Sequence, residues 1–217
     1  MHPILQKTSL ALAAASALAL LAPAAHAAGE AKNVIFFLGD GMGPVTVTAA
    51  RIYKGEKQLA EKAGSLASSE RATLTMQSLP YASRIKTFSR DGQTTDSAPS
   101  MAAYMTGVKM NNEVISMTPD TKATDASGKA YHTNYDSTCP SGNGQAVPTL
   151  LEQMKSAGYG TGVVSTARIT HATPAATYSH VCHRDAENTI AAALVPGGSG
   201  YNSKLGDGVD VILGGGS

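Results

Sequence analysis

The chain has 217 residues, a formal net charge of +1 and two cysteines. This near-neutral balance argues against a nucleic-acid partner or a charge-held membrane surface, and no aromatic–basic stripe, RNA-binding signature or zinc-finger spacing appears. After its N-terminal leader about 190 residues remain, enough for one domain with a substantial core.

Residues 1–27 read as a signal peptide. Lys7 gives a positive start, Leu10 to Leu21 is almost wholly Ala and Leu, and Ala25-His26-Ala27 has the small-x-small cleavage pattern. The apolar run is about 12 residues, short of the roughly 20 a membrane span needs. No twin-arginine pair precedes it, so a general secretory route is expected, with residues 28–217 as the exported domain in the periplasm or secreted.

Val34 to Leu38 is a continuous apolar run, the pattern of a strand buried on both faces. It ends in Gly39-Asp40-Gly41-Met42-Gly43, a turn that leaves the Asp40 carboxylate open to a cation. A helix is expected over 44–52, then a polar stretch from Lys54 to Arg71, then an alternating strand from Tyr81 to Phe88. Asp96-Ser97 precedes a helix-forming run that Gly107 is placed to end, with Ser97 expected as the N-cap and Pro99 in the first turn. The free N–H groups and dipole there favour an anion. Asp96 beside the serine disfavours an ordinary serine hydrolase and suits a metal-activated nucleophile acting on a phosphate ester. An ordinary capped surface helix is the competing reading of these residues.

Residues 111–145, rich in Asn, Asp, Ser, Thr and Gly, read as a surface excursion. Val147, Leu150, Leu151 and Met154 recur at helical spacing up to Gly158. Thr161 to Ser165 is a short strand, Glu187 to Val195 a helix stopped by Pro196, and Val209 to Leu213 a last strand. Alternating strands and helices give an α/β fold with a largely parallel sheet, whose ligands bind beyond the carboxyl ends of the strands.

Beyond the strand at 161–165, His171 and Thr173 can face one way and help fill an oxygen-rich magnesium shell. Arg184 or Arg168 could grip two phosphate oxygens. The cluster His180-Val181-Cys182-His183 fits no usual zinc spacing, and its cysteine could instead join Cys139 in a disulfide contributing on the order of 4 kcal/mol. Two unpaired thiols are the alternative.

The segment Asn33 to Gly43 continuing to Arg51, Thr95-Asp96-Ser97-Ala98 with Thr106-Gly107-Val108-Lys109, Gly162 to Thr166 with His171-Ala172-Thr173-Pro174-Ala175, and Val209 to Gly216 all occur in an order that resembles alkaline phosphatases. The resemblance implies a three-layer α/β sandwich and hydrolysis of phosphate monoesters through a phosphoserine on Ser97. It implies two zinc ions and one magnesium, with Asp40 bridging a zinc and the magnesium and Thr173 ligating magnesium. Asp96 would hold Arg184, which lies 13 residues beyond His171 as the family pattern requires. His171 occupies a position that is Asp or His in the family, near magnesium. A homodimer is also a family expectation. The chain corresponds to the N-terminal half of such an enzyme, and further zinc ligands would come from a second half of similar size. The alternatives are a catalytically incomplete phosphate binder and a metal-free serine esterase.

Overall fold

The computed structural model describes residues 32–61 and 71–216, so the signal-peptide reading of 1–27 lies outside the described residues. The chain divides into two units, Met1–Gly39 and Asp40–Ser217. In the first, residues 33–39 form no strand, and Val34 to Leu38 are exposed, Phe37 to 89%. The expected buried strand is corrected. Apolar side chains favour a sheet, but a strand forms only when its backbone joins a ladder.

The second unit opens with helix α1, Pro44–Glu61, starting at a proline whose missing N–H costs nothing there. It runs well past residue 52, because Glu56, Lys57, Gln58, Leu59 and Ala60 are good helix formers. The expected strand at 81–88 does not form either, and Tyr81 is 91% exposed. The Lys109 ammonium instead sits 3.7 Å from the centre of the Phe88 ring.

Helix α2, Ser97–Thr106, begins as the sequence suggests but with a different cap. Asp96, and not Ser97, is the N-cap: its Oδ1 accepts the Ala98 N–H at 2.6 Å. The helix ends on Gly107 at φ 73°, whose N–H reaches the Ala103 carbonyl. Ala98, Met101, Ala102 and Met105 form its buried face. Each buried methionine contributes on the order of 1.5–3 kcal/mol.

The polar segment from 111 is not wholly surface. Met110, Val114, Ile115 and Ser116 are fully buried. Ile115 and Val181 exchange both backbone bonds, at 2.9 and 3.0 Å, in an antiparallel bridge. Burial won because a short apolar pair sits inside the Asn- and Ser-rich run. Beyond it, β1 (His132–Thr133) and β2 (Asp136–Ser137) form a small hairpin. Its turn residues Asn134 and Tyr135 both take positive φ, 50° and 67°, matching the twist of a two-residue hairpin. Cys139 and Cys182 are joined in a disulfide with their Cα atoms 6.1 Å apart.

Helix α3, Leu150–Ser156, has a capping box, with Thr149 accepting the Glu152 N–H and the Glu152 side chain accepting the Thr149 N–H. The expected apolar stripe is only partly buried: Leu150 and Met154 are exposed, while Glu152 is 3% exposed. Strands β3 (Gly162–Arg168) and β4 (Val211–Gly215) pair in parallel, Gly162 opposite Val211 and Val164 opposite Leu213. Two short helices follow β3, α4 (Ala172–Ala175) and α5 (Glu187–Ala192), the second stopping short of Val195. The Thr161 N–H and the Lys155 ammonium hold the Asp210 carboxyl down to about 2 and tie α3 to the start of both strands. The result is an α/β fold in which α2, α4 and the 110–116 segment enclose the core, while the parallel pair contributes only Val163 to it and β4 is exposed. No helix among the described residues is long and apolar enough to cross a membrane.

Glu152 anchors a buried polar network. Its Oε1 accepts from His180 Nε2 at 2.7 Å and Asn202 Nδ2 at 2.6 Å, and its Oε2 from the Thr149 N–H at 2.8 Å. His180 also meets the Ser116 carbonyl at 2.7 Å through Nδ1. Burial pushes the Glu152 carboxyl up, but the bonds from His180, Asn202 and Thr149 outweigh it and hold the group below the ordinary value of 4.5. A depressed carboxyl stabilises the fold above its unfolded value and loses that contribution as pH falls through the folded value. Glu152→Gln is expected to cost about 3 kcal/mol at neutral pH, because His180 is left without its carboxylate. The difference from wild type should shrink at acid pH. Urea unfolding at pH 7 and below pH 4 measures both.

Candidate active site

Ser97 is the first residue of α2, directly after its cap, and the cap is also the centre of a polar cluster. Besides the Ala98 N–H, the Asp96 carboxylate accepts the Glu113 N–H at 2.5 Å and Arg184 Nη1 at 3.2 Å. The same Nη1 donates to Ser97 Oγ at 2.8 Å, and Nη2 donates to His171 Nε2 at 3.1 Å. The Arg184 backbone N–H reaches the Glu113 carbonyl at 2.8 Å, continuing the pairing of Ile115 with Val181. Arg184 is therefore fixed at both main chain and guanidinium. Its side chain is 16% exposed, so one face remains open beside the serine.

Glu113 takes φ 68°, a conformation L residues seldom adopt outside functional or tightly held positions. That backbone turn aims its N–H at Asp96. Burial, reinforced by the nearby Asp96 charge, pushes the Glu113 carboxyl up, against the opposing pull of Arg184 4.0 Å away. Asn112 braces the other side, accepting the Asp96 N–H at 3.2 Å and donating its own N–H to Asp91 at 2.9 Å. Glu113 and Asn112 were not among the sequence-derived candidates. They lie 16 and 17 residues from Asp96, and nothing local in their segment signals the contact.

The two candidate arginines separate clearly. Arg168 is committed to Glu187 through a two-pronged contact, 2.9 Å from Nε and 2.6 Å from Nη2, with Thr170 also donating to that carboxylate. The Arg168 fork holds the Glu187 carboxyl below its usual range. Arg184, and not Arg168, is the guanidinium beside Ser97.

In α4, the short helix after β3, the Thr173 hydroxyl donates to Asp40 Oδ2 at 2.6 Å. Two oxygen donors brought together in this way suit a hard cation such as magnesium. His171, two residues before Thr173, is at the N-cap position of α4 without a side-chain capping bond. Its Nε2 faces Arg184, and its Nδ1 is buried with no hydrogen-bond partner. A zinc site needs nitrogen or further carboxylate ligands around Asp40. Among the described residues Asp40 joins no cluster of three His, Cys or carboxylate ligands. The donor set present fits magnesium and does not complete a zinc site.

A serine at a helix N-terminus with a fixed guanidinium 2.8 Å away is an arrangement that can receive a phosphoryl group. The chain is 41% identical over 155 residues to the tissue-nonspecific alkaline phosphatase of Gallus gallus, covering 71% of this chain and 26% of that protein. It is 37% identical over 194 residues to the alkaline phosphatase of Gadus morhua, covering 86% of this chain and 36% of that protein. The chain thus spans about a quarter to a third of the length of these curated relatives. Among solved structures, a cold-active alkaline phosphatase from a psychrophilic Shewanella sp. is similar with a TM-score of 0.54 at 30% identity, over 82% of this chain and 35% of that one. The alkaline phosphatase family model matches residues 31–217, nearly the whole described chain and both motif segments of the cluster, and the chain belongs to that family.

Proposed function

We propose that this chain carries the nucleophile and phosphate clamp of an exported phosphate monoesterase that works through a phosphoserine at Ser97. The single observation behind this is the Arg184–Ser97 contact at 2.8 Å on the first turn of α2. Arg184 presents a planar, permanently charged fork to two phosphoryl oxygens. Asp96 holds that fork in place and keeps the serine at the helix start. Ser97 Oγ attacks phosphorus, the bond from phosphorus to the ester oxygen breaks, and the alcohol leaves. Water then takes the phosphoryl group from Ser97, releasing inorganic phosphate and restoring the hydroxyl. Charge that builds on the phosphoryl oxygens meets Arg184 and the positive end of α2.

A magnesium ion would be held by Asp40 and Thr173, and when bound it would supply positive charge to the phosphoryl centre. Of the two zinc ions implied by family resemblance, one has Asp40 as a candidate ligand here, and no step above runs through either. The Cys139–Cys182 disulfide supports export, since such bonds persist in oxidising compartments.

The protein expressed from its complete gene is expected to hydrolyse p-nitrophenyl phosphate with zinc and magnesium present. Acid quenching with labelled phosphate should trap label on Ser97. Ser97→Ala should remove the label and lower kcat by roughly 10⁴-fold or more. Turnover unchanged by Ser97→Ala overturns the mechanism, and phosphate binding by calorimetry without turnover would select the phosphate-binder alternative.

Asp96 separates structure from chemistry. Asp96→Asn keeps an acceptor for the Ala98 N–H but sets an amide NH2 against the Glu113 N–H, so stability should fall by about 1–3 kcal/mol. Its lost charge releases Arg184, and kcat/KM is expected to fall on the order of 10²-fold. Asp96→Ala removes the cap as well and should cost a further ~1 kcal/mol in urea unfolding.

A further inference from the structure

We infer that His132, His183 and Asp185 form a binding site for a divalent ion of the zinc class, separate from the Ser97 cluster. The ligand atoms of these three side chains all lie within 4.8 Å of one another. His132 Nε2 is 3.9 Å from Asp185 Oδ2, and His183 Nδ1 is 4.0 Å from the same oxygen. Tetrahedral zinc holds its ligand atoms about 3.4 Å apart, so the two contacts to Asp185 need a closure of about 0.5–0.6 Å and the widest pair in the group at most about 1.4 Å. The two imidazole rings already lie with centroids 4.6 Å apart and tilted by 40°. Two imidazoles with one carboxylate is a donor set that favours zinc over magnesium or calcium.

The hydrogen bonding around the three groups is sparse. His132 turns Nε2 toward Asp185, and its other ring nitrogen, Nδ1, is buried with no partner. His183 Nδ1 accepts one long bond, 3.2 Å from the Asp185 N–H, so that nitrogen carries no proton, and an ion would displace only this one bond. Asp185 is 55% exposed, which opens the group to solvent and leaves room for water as a fourth ligand.

The scaffold holds the ligands in place. Ser137 N–H donates to Thr189 Oγ1 at 2.9 Å, Asn188 N–H to the Tyr135 carbonyl at 2.9 Å, and Asn188 Nδ2 to the Asn134 carbonyl at 3.1 Å. These bonds fasten the His132 hairpin to α5, and the disulfide to Cys182 fastens it beside His183. The His–Cys–His run of the sequence is thus split. Its cysteine is in the disulfide, His180 is engaged by Glu152 and Ser116, and His183 finds His132, 51 positions earlier along the chain.

Zinc titrated into histidine-labelled protein, with the ring nitrogens followed by NMR, tests the site independently of phosphoryl chemistry. The His132 and His183 signals should shift together and saturate at one equivalent, with His180 unmoved. His171 reports the Asp40–Thr173 pair separately. Asp185→Asn, at an exposed position and checked for folding by circular dichroism, should raise the zinc midpoint at least about tenfold. His132→Ala should abolish the His183 shift. His132 and His183 signals unmoved at saturating zinc, or a midpoint unchanged by Asp185→Asn, would overturn the site.

Discussion

The Asp96 carboxylate ties together three pieces of chain that are distant in sequence. It accepts the Ala98 N–H in the first turn of α2, the N–H of Glu113 and one arm of Arg184. Each bond places something different: the helix start that carries Ser97, the segment leading into the Ile115–Val181 bridge, and the guanidinium itself. A carboxylate can do this because it accepts through two oxygens with several lone pairs, whereas a serine or threonine cap would satisfy the helix and leave the other two groups loose. The unusual φ of Glu113 follows from the same demand, since its N–H must turn toward Asp96 while the segment continues into the bridge. The local strain and the fixed arginine are two sides of one arrangement.

Local chemistry was readable from the residues and distant pairing was not. The run from Asp96 to Gly107 contains its own start signal, its own stop and its own buried face, so its extent as a helix followed from the sequence even though the cap falls one residue earlier than expected. Strands β3 and β4 were likewise visible as short apolar runs. Val34 to Leu38 looked at least as strand-like and is not one here, because hydrophobicity does not by itself provide a ladder partner. In α3 the helical spacing was sound, but the buried member of the helix is Glu152, which no hydrophobic pattern would select. Its burial depends on His180 and Asn202, groups 28 and 50 residues away.

The candidate site divides along the same line. Ser97, Asp96 and Arg184 are legible as candidates in the sequence, and the structure brings Arg184 within hydrogen-bonding distance of both others. Asn112 and Glu113 were read as part of a surface excursion, because Asn and Glu suit exposed loops and the apolar residues after them are few. The choice between the two arginines shows what geometry adds. Both carry the same charge and flank the same strand-end region in sequence, but Arg168 spends its fork on Glu187 while Arg184 faces the serine. Charge alone could not separate them, since the deciding factor is which carboxylate already occupies each guanidinium.

Residues 183 to 185 serve two neighbourhoods at once. Arg184 reaches Ser97 and Asp96, while His183 and Asp185 turn to His132. His183 to Ala186 form a turn, closed by the Ala186 N–H on the His183 carbonyl at 3.2 Å, which sends neighbouring side chains in different directions. A single inserted or deleted residue would break that turn and part Arg184 from the serine or the histidine and aspartate from His132. Cys182, immediately upstream and locked to Cys139, fixes where the turn begins. The length of the segment is therefore as constrained as its side chains.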